Sequence, residues 1–307
     1  MASQVTTRKS HWWQTLAGRE AIAGYISISP WVLGFLFFGI VPLIAAAYYS
    51  LTNFDILTPP RFIGHDNFVK MFIRDKLFWQ SLKVTIIFTI VTVPLSTAIG
   101  YGMAVLLNQK VKGLSYWRTG FYLPAVVPGL AAAYLFSYVF AHDFGLADSL
   151  LKTVGIKHPP NWYGSTEWAL PTLMVLHLWG AGAGLILFLS ALQGVPTALY
   201  DAGKVDGANA WHRFRHITLP MTSPVILFSL IVGIIGSFQI FTSALIVTEG
   251  GPVNSTLFYV LYLYRRGWEQ FQMGYAAALA WFLFIIILSL TILVLKSSAR
   301  WVYYGEE

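Results

Sequence analysis

Gly274–Leu295 reads GYAAALAWFLFIIILSLTILVL, a run without a charged residue, bounded by Gln272 on one side and Lys296 on the other. A helix of about 20 apolar residues rises far enough to cross the roughly 30 Å hydrocarbon core of a bilayer. Working outward from it, five more runs of this kind precede it: Trp31–Leu51, Val84–Leu107, Thr119–Ala141, Ala169–Leu192 and Val225–Thr248. The reading is an all-α polytopic membrane protein with six transmembrane helices. Composition agrees. Of 307 residues, 56% are hydrophobic and only 11% charged, where a soluble domain carries roughly 25% charged residues. A soluble enzyme or secreted domain of this size would lack the charge to cover its surface.

An even number of spans places both termini on one side, and the charges choose the side. With both termini in the cytoplasm, eleven basic and five acidic residues fall inside, against nine basic and eight acidic outside. The predicted organisation is therefore N-in and C-in, with a cytoplasmic segment 1–21, a membrane domain 22–296, a cytoplasmic loop 194–220 within it and a tail 297–307. Arg8 and Lys9 before an apolar run ending near Ala45-Ala46-Ala47 raise a signal peptide as an alternative. That run starts near Ile22 and is too long for one, so it reads as a retained span. The net charge of +7 then reports cytoplasmic loops and not nucleic-acid binding. With no cysteine, disulfides and cysteine metal sites are ruled out. Trp12, Trp13, Trp31, Trp117, Trp168 and Trp301 sit where interface anchors sit.

The spans contain no Asp or Glu, so the intramembrane carboxylate of many ion-coupled carriers is missing. His177 is the one titratable residue deep in a span, either packed or lining a path. Ser237 and His177 are the only basis for an intramembrane hydrolase, and Gly236-Ser237 suits close helix packing instead. Gly180, Gly182 and Gly184 are read as a small-residue packing stripe in the fourth span, with Gly180 and Gly184 at the four-residue spacing of close helix approach. Gly203-Lys204 lacks the glycine and hydroxyl residue of a phosphate-binding loop, since Ala198 and Val205 stand in those places.

The most informative loop is Gly194–Pro220, GVPTALYDAGKVDGANAWHRFRHITLP. Pro196 suits a helix start, and Leu199, Ala202 and Val205 recur at threes. Asp206-Gly207 punctuates, Asp206 is placed to cap a second helix, and Leu219-Pro220 is placed to stop it. The product is a helix-turn-helix that either docks in a cleft of another protein or lies in the membrane interface.

Tyr200-Asp201-Ala202-Gly203, Asp206-Gly207-Ala208, Phe214, Ile217 and Leu219-Pro220 resemble the EAA loop of membrane subunits in binding-protein-dependent ABC importers. Gly64-His65-Asp66-Asn67-Phe68, Leu123-Pro124, Glu249-Gly250-Gly251-Pro252 and Gly274-Tyr275-Ala276-Ala277-Ala278 resemble, in order, the maltose-type carbohydrate permeases. Asp201 and Gly203 replace the usual Glu and second Ala of that loop, and Val84 an Asn often found at the start of the second span.

The resemblance implies the type I ABC importer permease fold in a bacterial or archaeal cytoplasmic membrane. It implies a second homologous permease, an ATPase dimer, an extracytoplasmic solute-binding protein and a sugar substrate as partners. No cofactor is expected in this chain, with ATP and Mg on the partner ATPase, and no catalytic or metal-binding residue. Asp201, Ala202, Gly203, Asp206, Gly207, Ala208, Phe214, Leu219 and Pro220 are the candidates for ATPase coupling. Trp179, Phe238, Gln239 and Thr242 are the candidates for the substrate path, since sugars favour aromatic faces beside polar groups, although Gln239 could equally bond between helices. The alternative function is an ion-coupled secondary transporter or channel acting without an ATPase.

Overall fold

A computed structural model describes residues 12–109 and 112–304, so Arg8, Lys9, Lys110, Glu306 and Glu307 of the charge argument lie outside the described residues, as do parts of the 1–21 segment and the tail. The main helices are α1 (Leu16–Ser50), α2 (Lys76–Leu107), α3 (Leu114–Val126), α4 (Gly129–Val139), α5 (Leu146–Thr153), α6 (Ala169–Gln193), α7 (Thr197–Val205), α8 (Ala210–Phe238), α9 (Tyr259–Tyr264) and α10 (Met273–Ser298). Five of them are long and apolar enough to cross a bilayer, and α3 with α4 makes a sixth if that bent pair is one span. A two-stranded hairpin, Thr52–Asn53 with Arg61–Phe62, is the only sheet among the described residues.

Helix ends follow local chemistry. α1 starts at Leu16, well before Trp31, because Thr15 caps it by accepting the Gly18 amide at 3.1 Å. α2 starts at Lys76, eight residues ahead of Val84, because the Asp75 carboxylate accepts the amides of Leu77 and Phe78. Two long helices absorb a proline in the same way. α1 widens into a π segment at Leu36–Ile40 just before Pro42, and α8 does so at Phe214–Thr218 just before Pro220. Each wider turn makes room for a ring that clashes with the carbonyl one turn back and for a missing N–H. Leu219-Pro220 therefore does not stop the second loop helix, as the sequence suggests. That helix continues unbroken into the fifth span.

Two buried clusters hold the bundle. One, nearer the end opposite the 194–220 loop, gathers Phe78, Phe88, Phe258, Tyr259 and Leu279 from α2, α9 and α10. The other, at the loop end, gathers Tyr101, Leu107, Leu185, Phe188 and Leu192, with Phe214 packed on it. Between helices in lipid, packing and hydrogen bonds do the holding, because burial from lipid releases no water. Thr89 and Ser237 join α2 to α8 at 2.9 Å, and Tyr101 and Thr222 join the same two helices at 2.8 Å.

At the far end, Asp75 is a buried carboxylate with five donors. Besides the two amides it accepts the Tyr262 hydroxyl, the Tyr275 hydroxyl at 2.7 Å and Arg266 Nη2 at 3.2 Å. Burial pushes its pKa up, but the two tyrosine hydrogen bonds, the Arg266 charge and the Phe78 amide outweigh it, and the net shift is downward. The stabilisation is thus fully present above the unfolded carboxyl value near 3.9 and is lost as pH falls through the folded value. Asp75→Ala should lower the thermal unfolding midpoint of the purified protein sharply, at a cost of about 3–5 kcal/mol for an orphaned buried partner. Asp75→Asn, which still caps, should lose clearly less. Equal midpoints for Asp75→Ala and wild type would show that the hydrogen bonds to Asp75 do not hold this end of the bundle.

Candidate functional site

Three helices are interrupted around one cleft. The third span breaks at Val127-Pro128, where α3 and α4 meet at 97°. In α6 the stretch Gly180–Gly184 tightens to a 3₁₀ turn, which three glycines and two alanines tolerate. α8 breaks after Phe238, with Gln239 as its last cap, and helical backbone resumes to end at Thr248, the end expected for the fifth span. The space between them is a cleft of about 420 Å³ lined by Pro124, Val127, Gly129, His177, Trp179, Gly180, Gly236, Gln239, Thr242 and Ser243, among others. A second cleft of about 430 Å³ continues along α6 and α8, sharing His177, Gly180 and Ala183 with the first and adding Ser96, Thr97 and Ser229.

The first cleft has no Asp, Glu, Lys or Arg in its lining. Its polar groups are the Gln239 amide, the Thr242 and Ser243 hydroxyls, the Trp179 indole and the His177 imidazole. The carbonyl end of α8 and the amide end of α4 also abut it. Helix ends expose unpaired carbonyls and amides, so the wall offers both acceptors and donors on a neutral background. Aromatic surface lies beside them, with Trp179 packed at 5.3 Å on Phe136. Neutral solutes rich in hydroxyl groups, which donate and accept together, match such a wall.

Of the four path candidates, Trp179, Gln239 and Thr242 line the cleft. Phe238 does not: it is 2% exposed and turned into the core against α2 and α10, because the helix's last turn carries it to the opposite face from Gln239. His177 lines both clefts and meets Phe88 edge-on at 5.3 Å. Ser237 donates to Thr89 and to the Ile234 carbonyl and not to His177, so these two residues do not form a hydrolytic pair. The break in α3–α4 was not read from the sequence, though Pro124, Pro128 and Gly129 were its signal. Within the expected stripe the glycines differ: a Cβ on Gly180 would meet nothing within 4 Å, whereas one on Gly182 would collide with the Phe121 carbonyl of α3. Of these two, Gly182 is the close-approach position.

The loop is a rigid elbow. α7 ends in a Schellman turn: Gly207, at φ +75°, donates to the Lys204 carbonyl at 3.1 Å, and Ala208 donates to the Gly203 carbonyl at 2.8 Å. Asp206 is the last cap of α7 and not the first cap of α8. Asn209 takes that role, its Oδ1 accepting the His212 amide at 2.8 Å, since only Asn209 has the extended backbone a cap needs. Gly203 allows the two arms to close. A Cβ there would lie 3.2 Å from Ile217 Cδ1. Arg213 Nη1 donates to the Ala208 carbonyl at 2.5 Å, and Tyr200 meets Thr218 at 3.0 Å. Phe214 plugs into the loop-end cluster beside Tyr101. Asp201, Ala202, Asp206 and Gly207 remain exposed, and Asp201 pairs with Lys204 of its own helix at 2.8 Å. Leu219 is exposed and Pro220 half-buried on α8.

The family model for binding-protein-dependent transport system inner membrane components matches residues 96–303. The chain belongs to that family. As a member it is a transport permease and an integral membrane protein. It is 42% identical over 292 residues, 94% of each chain, to a probable ABC transporter permease protein, YesP, of Bacillus subtilis. It is 31% identical over 280 residues to the trehalose/maltose transport system permease protein MalF of Thermococcus litoralis, covering 91% of this chain and 94% of that one. In fold it matches a chain of a bacterial alginate ABC transporter crystallised with its alginate pentasaccharide-bound periplasmic protein. The TM-score is 0.83 at 22% identity, with 96% of this permease and 99% of that chain covered.

The glycine contrast is testable in the permease itself. Gly182→Ala should lower the unfolding midpoint, with an overpacking cost of about 1–3 kcal/mol. Gly180→Leu should leave the midpoint unchanged and narrow the cleft, which uptake assays read as lost transport. A stable Gly182→Ala, or an active Gly180→Leu, would contradict the packing described.

Proposed function

We propose that this permease forms half of the translocation pathway of an ATP-driven sugar importer in a bacterial or archaeal cytoplasmic membrane. It works with a second permease, an ATPase dimer that binds ATP and Mg, and an extracytoplasmic solute-binding protein. The observation that carries this is one helix. α8 runs 29 residues from Ala210, in the exposed loop, to Phe238, whose neighbour Gln239 lines the cleft, a rod of roughly 43 Å. Anything that moves the elbow of Asp201–Pro220 moves Gln239.

The neutral cleft with paired donors and acceptors supports a saccharide. So do the relatives: besides the trehalose/maltose permease, one at 31% identity over 304 residues is an arabinooligosaccharides permease of Bacillus subtilis. Closure of the ATPase dimer on ATP would draw the two loops together and tilt the bundles from inward- to outward-facing. Driving such a change from 1:99 to 99:1 requires about 5.5 kcal/mol of differential binding. The self-paired Asp201 supplies little of that, so shape complementarity around the Schellman turn carries docking, and the energy comes from closure of the whole ATPase dimer. An ion-driven cycle has no carboxylate in the cleft to work with.

Two substitutions test this in proteoliposomes holding the full transporter. Gly207→Pro cannot adopt φ +75° and loses an amide donor. It should cut saccharide uptake at least tenfold while ATP hydrolysis persists and the complex still assembles; normal uptake would refute the lever. Gln239→Ala should raise the half-saturating concentration or change substrate choice without altering assembly. Unchanged uptake and choice would take Gln239 out of the path.

A further inference from the structure

We propose that α5 (Leu146–Thr153) is an interfacial foot whose apolar face lies in the lipid headgroup layer at the end of the bundle opposite the 194–220 loop. For a helix in water it is built inside out. Its buried side chain is a carboxylate, Asp148, at 0% exposure. Leu146 and Leu150 are each 60% exposed, and Val154, its last cap, is 81% exposed. Phe144 before the helix and Ile156 after it are exposed as well.

The helix has three sides. At about 100° per residue, Leu146, Leu150 and Val154 share an arc of about 80°, and Lys152 falls on the side opposite that arc. Asp148 faces the protein, with Leu151 half-buried next to it, while Ser149 and Lys152 are exposed. The leucine arc therefore stands beside the protein-facing side and not over it. It reaches what surrounds the bundle while the polar side reaches water.

Position decides what covers the arc. Asp148 Oδ1 accepts the Trp162 indole N–H at 2.6 Å, and its Oδ2 accepts the Asp143 amide at 3.0 Å. Trp162 packs edge-on against Trp168 at 5.6 Å and against Phe140 at 5.1 Å. Tyr163 donates to the Phe136 carbonyl of α4 at 3.2 Å. These contacts clamp α5 to the end of α4 and to the start of α6, the level at which the fourth span leaves the hydrocarbon. Trp and Tyr gather at that level, and the exposed Trp168 stands there. A helix with one apolar and one polar side at such a level lies in the plane of the interface. The exposed Lys152 and Lys157 are then available to lipid phosphates. Because α4 lines the cleft through Gly129 and Ala132, lipid contact at α5 would hold the far end of that half-span in place.

The chain has no cysteine, so one introduced cysteine carries one probe once the partner subunits' cysteines are replaced. Leu146→Cys, Leu150→Cys and Lys152→Cys are each labelled with nitrobenzoxadiazole and assembled into the transporter in vesicles of phosphatidylethanolamine and phosphatidylglycerol. Both leucine positions should emit in the blue. They should lose at least about half of their intensity to lipids spin-labelled high on the acyl chain, since such a face lies roughly 5–10 Å into the headgroup boundary. Lys152→Cys should emit as in water and be quenched by aqueous iodide instead. An unchanged unfolding midpoint shows that each variant is folded. None of these readouts needs a saccharide or ATP, so they are separate from the test of transport. Quenching of the Leu150→Cys probe by iodide and not by lipid would overturn the foot. Blue emission that spin-labelled lipid leaves untouched, or that arises only when the solute-binding protein is added, would also overturn it, since either marks a protein partner.

Discussion

Hydrocarbon offers no hydrogen bonds, so a helix that breaks inside it must place its freed amides and carbonyls against protein or a wet cavity. That constraint organises this molecule. Three interruptions, at Val127-Pro128, Gly180–Gly184 and Gln239, occur in three different helices and all open on one cleft. The regular parts of α8 are tied to α2 by hydroxyl hydrogen bonds, and aromatic packing closes the bundle around them. Irregular backbone and polar cavity are thus two descriptions of one feature.

The exposed loop and the cleft are joined by one helix, α8, whose continuity depends on the π segment that accommodates Pro220. The elbow at its end is held by backbone geometry, with Gly207 in the left-handed region and Gly203 where Ile217 crowds in. Phe214 anchors the arm in the loop-end cluster, so the elbow and the span behave as one body. The hydrogen bonds around Asp75 fix the opposite end of α2 to α9 and α10.

Much of this was legible in the residues. Long apolar runs announce membrane helices because the bilayer leaves no alternative, and the loop motif carries its turn in Asp206-Gly207. Errors cluster where a residue's role depends on a neighbour distant in sequence. Gly180, Gly182 and Gly184 all belong to the small-residue stripe, but only the packed structure shows that Gly182 is the one that meets Phe121. Phe238 and Gln239 are adjacent, but one turns into the core and the other into the cleft. Asp206 and Asn209 are both good caps, and the choice fell to the backbone angles that Gly207 imposes.

Sequence alone therefore determined the solvent of the protein, its all-helical class, the position of the turn in the 194–220 loop and the lack of Asp and Glu in the long apolar runs. These depend on composition and on short-range pattern, which the chain carries wherever it folds. Tertiary structure decided where the helices break, which faces line the cleft and that the loop arm and the fifth span are one rod. Those depend on which atoms meet across helices, and a one-dimensional pattern does not encode the side from which a neighbour arrives.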